Sequence, residues 1–138
     1  STFLGSKTIK GAEMDFEIKL SCNDYIAIEV KSSKEMQKFT SFEIQLNCKL
    51  ELMVQQNKIP KEFHIVVYTA NEREYKSSNF LLDELKKAQK IINNKSTSIT
   101  VKVFKAYIKI RVNTKIENPY TNFMQEGIND YNYKEIKL

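Results

Sequence analysis

Asp15, Glu29 and Lys31 are the residues of this chain whose types and spacing could do chemistry. With Glu13 they stand in the stretch GAEMDFEIKLSCNDYIAIEVKSS, residues 11–33, among β-branched and aromatic residues that belong in a dry interior. Two hard carboxylates, Asp15 and Glu29, together with the backbone carbonyl of Val30, suit Mg²⁺ or Mn²⁺. Such an ion keeps several waters and takes phosphate oxygens at its remaining positions. Glu13 is a further acid for the same ion. Lys31 can orient a water and stabilise charge growing on phosphorus oxygens. The bland alternative is a solvated sheet face with cross-strand ion pairs that contribute little. The tripeptide Glu-x-Lys has no weight by itself, because it occurs five times: Glu17-Lys19, Glu29-Lys31, Glu74-Lys76, Glu84-Lys86 and Glu135-Lys137. Only Glu29-Val30-Lys31 ends an apolar strand with an aspartate at the head of the strand before it.

The elements that must position these groups follow from the local pattern. Residues 14–20, MDFEIKL, alternate as a half-buried strand with Met14, Phe16, Ile18 and Leu20 on one side. SCND is a turn, and YIAIEVK is a second strand with Ile26, Ile28 and Val30 in phase. If the apolar residues of this hairpin face one core, the paired residue numbers must sum to an even value. Two registers satisfy that. A loop at Ser21 to Asn23 sets Asp15 opposite Glu29, and a loop at Cys22 to Asp24 sets Asp15 opposite Lys31 and Glu17 opposite Glu29. In both, the acids and the lysine converge at about 5 Å between cross-strand neighbours.

Upstream, TFLGSKTIKG adds a shorter strand. From Ser33 to Gln56 the chain keeps both strand and helix periodicity. Its length, its freedom from Gly and Pro, and Ser33 as a cap predict one helix that packs Phe39, Leu46, Leu50 and Met53 on the sheet. EFHIVVYT is a buried strand of the parallel kind, and Ser78 to Asn93 is a second helix. SITVKVFKAYIKIRV is a strand region whose phase change at Val103-Phe104 predicts a bulge, and the tail from Asn118 has no clear period. The fold class is α/β, an α+β mixed sheet in the order β-β-β-α-β-α-β(β), in a single domain over 1–138. The motif region is about 8–70 and the C-terminal extension about 78–138.

The chain has 138 residues, 41% of them hydrophobic and 28% charged, which is the balance of a globular protein. Its longest apolar runs, such as Ile65 to Tyr68, are far from the ~20 residues that cross a bilayer, so no membrane is expected. Cys22 and Cys48 form no CxxC or Cys/His cluster, so the expected setting is a reducing intracellular one, cytoplasmic or nuclear. The net charge of +5 mildly favours a polyanion. Lys34, Lys38, Lys58 and Lys61 are candidates to track phosphates, or simply keep the surface soluble. His64, a lone histidine in an apolar strand, is read as a hydrogen-bonded residue of the fold.

GAEMDFEIKL and YIAIEVKSS, followed by a helix and EFHIVVYT, resemble the core of the PD-(D/E)xK nuclease superfamily over roughly residues 8–70. The resemblance implies a restriction-endonuclease-like or Holliday-junction-resolvase-like core. By motif, Asp15 and Glu29 hold the metal, with Glu13 and Val30 beside them, and Lys31 assists the attacking water. Lys34, by its charge, and Gln45, in the helix that follows, are the candidate substrate-binding residues. In one branch of that superfamily the following helix carries Gln-x-x-x-Tyr, where this chain has Gln45 and Lys49. The activity implied is Mg²⁺- or Mn²⁺-dependent endonucleolytic hydrolysis of nucleic acid. DNA is the expected substrate, because related enzymes that cut RNA place a histidine ahead of the acids and His64 follows them. The rivals are an RNA endonuclease, a catalytically silent nucleic-acid-binding or assembly module within a larger polypeptide, and a homodimeric structural protein that uses its β-rich C-terminal region as an interface.

Overall fold

A computed structural model describes residues 14–110 and 128–138. Strand β1 (Phe16–Lys19) turns through a 3-10 segment at Ser21–Asn23 into β2 (Tyr25–Ser32). Helices α1 (Ser33–Gln37) and α2 (Phe39–Gln55) follow, then β3 (Glu62–Thr69), a short α3 (Glu72–Lys76) and α4 (Leu82–Lys95). Strands β4 (Thr100–Ile110) and β5 (Ile128–Ile136) close the described order. The five strands form one sheet in sequence order, β1-β2-β3-β4-β5. The outer pairs are antiparallel and β2-β3-β4 are parallel. This is a mixed α/β sheet, as expected. The upstream strand expected at residues 2–11 lies outside the described residues.

Of the two hairpin registers, the structure has the first. Phe16 is paired with Ile28 and Glu17 with Ala27, and the turn occupies Ser21–Asn23. Cys22 and Asn23 hold left-handed backbone at φ 64° and 66°, which lets so short a connection reverse the chain. The Leu20 N–H closes the turn on the Asp24 carbonyl at 2.8 Å.

The face chosen for the core is the reverse of the one that the hairpin alternation suggests. Tyr25, Ala27 and Glu29 of β2 are buried with Phe63, Ile65 and Val67 of β3 and Val103 of β4. Against them pack Phe42, Leu46, Leu50 and Met53 of α2 and Leu85, Ala88 and Ile92 of α4. Phe16 remains 47% exposed on the opposite face, and Ile18, Ile26 and Ile28 are only half-buried there. The reason lies in β3, whose bulkier row is Phe63, Ile65 and Val67. The parallel register couples Ala27 to Phe63, Glu29 to Ile65 and Lys31 to Val67, so that row carries the acid and the lysine inward with it.

The single helix expected from Ser33 to Gln56 is broken at Lys38, which has φ −90° and ψ 61°. On one side of the break α1 packs against β2 and β3, and on the other α2 lies beside α4. The second helix begins at Leu82 rather than Ser78, after a left-handed Leu81. The register irregularity of β4 falls between Lys109 and Ile110, not at Val103-Phe104. The tail contributes β5, antiparallel to β4. Among the described residues no helix is long and apolar enough to cross a membrane.

The junction that aims Lys31 is a capping box. The Ser32 hydroxyl accepts from the Glu35 N–H at 3.2 Å, and the Glu35 carboxylate accepts from the Ser32 N–H at 2.8 Å. The Ser32 N–H is the main cause that holds the Glu35 carboxyl below the usual range. Ser32→Ala is expected to cost about 1 kcal/mol in urea denaturation. A carboxyl with a depressed folded-state pKa contributes stability above its unfolded pKa and loses it as pH falls through the folded value. Glu35→Gln should therefore flatten the acid side of the stability profile below the ordinary carboxylate range and leave neutral-to-alkaline slopes unchanged.

Candidate functional site

Asp15 stands where β1 ends, and its side chain continues the ladder that the backbone leaves unfinished. Asp15 Oδ2 accepts the Val30 N–H at 2.7 Å, and Glu29 Oε1 accepts the Asp15 N–H at 3.3 Å. These reciprocal bonds hold the two carboxyl groups side by side and engage one oxygen of each. A strand edge normally meets such donors with a backbone carbonyl. Here the acids do it, which ties their orientation to the sheet itself.

Glu29 has no solvent exposure. Lys31 Nζ lies 3.8 Å from its Oε2, and Lys49 Nζ from α2 lies 2.5 Å from the same oxygen. The Lys49 contact misses hydrogen-bond geometry, so Oε2 is neutralised without being hydrogen-bonded. Burial is the main cause that pushes the Glu29 carboxyl up. Lys49 opposes the shift, the neighbouring Asp15 charge adds to it and Lys31 lowers it. Two ammonium groups thus stand against Glu29, and with Asp15 and with Glu35 beside Lys31 the formal sum is −1 when all are charged.

Lys31 is 12% exposed and reaches the rim of the site. Its ammonium donates to Gln45 Oε1 at 2.9 Å, approaches Glu35 Oε2 at 4.0 Å and lies 5.8 Å from the Phe42 ring centroid. Gln45 and Lys49 are one helical turn apart on α2 and so address the same stretch of β2. A second buried acid sits toward the hairpin turn. Glu17 takes Lys58 at 3.5 Å, and Lys58 also offers its carbonyl to the Tyr25 hydroxyl at 2.7 Å.

The structure therefore brings together Asp15, Glu29, Val30, Lys31 and Gln45. Val30 takes part through its N–H. Lys34 is exposed on α1, and Glu13 lies outside the described residues. Among the described residues no three His, Cys, Asp or Glu side chains converge. His64 pairs with Glu62 at 2.7 Å on the opposite sheet face. The solvated-face reading does not hold for Glu29, which is buried. Sequence reasoning missed Lys49 as a member of the site, noting it only as a departure from Gln-x-x-x-Tyr. The signal was present, since Lys49 interrupts the apolar stripe of Leu46, Leu50 and Met53, and a lysine there needs a buried partner.

Comparison with protein-family models, curated proteins and solved structures finds no match.

Removing one member of a buried ion pair leaves the other uncompensated, at about 3–5 kcal/mol. Glu29→Gln should fall at the upper end by chemical denaturation, because Lys49 has no other acid within 4.0 Å among the described residues. Lys49→Met should fall at the lower end, since Lys31 still faces Glu29. The double variant Glu29→Met/Lys49→Met should recover most of the loss.

Proposed function

We propose that this chain is a metal-dependent phosphodiesterase, an endonuclease acting on DNA, with Asp15, Glu29 and Lys31 at its centre. The observation that carries this reading is the pair of bonds in which Glu29 accepts the Asp15 N–H and Asp15 accepts the Val30 N–H, which brings two carboxylates to the head of a strand pair with Lys31 close by on β2. The donor chemistry fits Mg²⁺ or Mn²⁺. Each acid has one oxygen committed to a backbone N–H, and Glu29 Oε2 is a buried oxygen without a hydrogen-bond partner. When bound, the ion supplies charge against phosphate oxygens and acidity to water. Lys31, held by Gln45 at the rim, brings an ammonium to the place where charge on a phosphate oxygen would develop. Lys34, exposed on α1, is the proposed contact to a neighbouring phosphate.

One observation favours a second reading, a silent nucleic-acid-binding or assembly module. The Lys49 ammonium already neutralises the carboxylate oxygen that a metal would take.

The deciding assay is cleavage of plasmid and branched DNA, with single-stranded RNA as control, in Mg²⁺ and in Mn²⁺. Lys31→Ala should lose about 10²-fold or more of turnover while keeping metal and DNA binding, because its contribution belongs to the transition state. Asp15→Asn should lose both metal binding and turnover. A wild type that cuts none of these substrates, or a Lys31→Ala variant that cuts as well as wild type, would overturn the catalytic reading and leave the binding module in its place.

A further inference from the structure

We propose that the Lys49 ammonium is the resident cation of this site, and that a divalent ion gains Glu29 only by exchanging with it. The inference rests on the metal reading of Asp15 and Glu29 and adds a residue and a rule of loading to it. Lys49 Nζ occupies the approach to Glu29 Oε2, the oxygen that no backbone N–H holds, at 2.5 Å. Lys49 is 5% exposed and Glu29 is fully buried, so neither charge can be traded to bulk water in place. The contact neutralises Oε2 without a hydrogen bond. A divalent ion, which needs no aligned N–H, can take that oxygen once the ammonium has left it.

The charge count sets the consequence. Asp15, Glu29 and Glu35 against Lys31 and Lys49 leave a formal charge of only −1, so the ammonium groups cancel most of what would attract a metal, unlike a pocket made of acids alone. Adding a divalent ion beside two ammonium groups is opposed at short range, in surroundings too dry to screen it. The ammonium of Lys49 must leave Oε2 as the ion arrives. A phosphodiester at the rim, near Lys31, supplies negative charge that favours the exchanged state, so metal and nucleic acid should load together rather than independently.

The test is Mn²⁺ titration calorimetry on the intact chain. Lys49→Met keeps the length of the side chain and removes its charge, and should bind Mn²⁺ about tenfold tighter or more than wild type. Lys49→Arg, which keeps the charge, should not bind tighter, and adding Asp15→Asn to Lys49→Met should abolish the gain. If Lys49→Met binds no tighter than wild type while Asp15→Asn weakens binding, the exchange is overturned and the metal reading stands. If folded wild type and folded Lys49→Met both fail to bind Mn²⁺, the metal reading falls and the exchange with it. Should Lys49→Met not fold, the wild type decides through NMR in a Mg²⁺ titration. Movement of the Lys49 side-chain ammonium signal together with the Asp15 and Val30 amides, while that of Lys58 stays, supports the exchange. A Lys49 signal that stays fixed overturns it, whether or not those amides shift.

Discussion

The parallel register between β2 and β3 is the constraint on which the rest of this structure depends. Pairing Ala27 with Phe63 and Glu29 with Ile65 places a carboxylate in the layer where α2 and α4 pack. A lone carboxylate there would carry the full penalty of burial. The fold meets it from both sides. Asp15 presents its N–H from the strand before, and α2 presents Lys49 from above. The break at Lys38 separates α1, against β2 and β3, from α2, beside α4. Gln45, one turn ahead of Lys49, then meets Lys31.

The same device recurs along the hairpin. Glu17, buried on the inward face, is met by Lys58 from the segment that joins α2 to β3, and the Lys58 carbonyl receives the Tyr25 hydroxyl. Burial first, and the Glu17 charge second, keep that phenol firmly protonated. Both buried acids of the hairpin are thus answered by lysines that arrive from later in the chain. The two lysines on Glu29 differ in kind. Lys49 is enclosed and neutralises, whereas Lys31 is tethered by Gln45 and reaches the rim. A buried pair of this type is weak evidence for stability in itself, but removing one partner leaves an uncompensated charge that is expensive.

On the outer face, Phe16, Ile18, Ile26 and Ile28 form the row that the hairpin alone would assign to the core. Their alternation is real, and it correctly yields the strands and the turn and narrows the register to two. It says nothing about which side the helices cover, because that decision rests on β3, whose Phe63, Ile65 and Val67 are wholly apolar whereas the opposite row of Glu62, His64, Val66 and Tyr68 is mixed.

The sequence by itself determined the strand and helix types, the hairpin with two allowed registers, the inward stripe of Leu46, Leu50 and Met53, and the gathering of Asp15, Glu29 and Lys31. Each depends on periodicity or on a short connection, and such local rules act between near neighbours. Tertiary structure decided the rest. The inward face of the sheet, the break at Lys38 and the entry of Lys49 arise from long-range packing. Lys49 looked like an ordinary helix lysine in an imperfect stripe until α2 was laid over β2. Its partner, Glu29, is a strand away in space and a helix away in sequence, and only the burial of that carboxylate explains why a lysine belongs there.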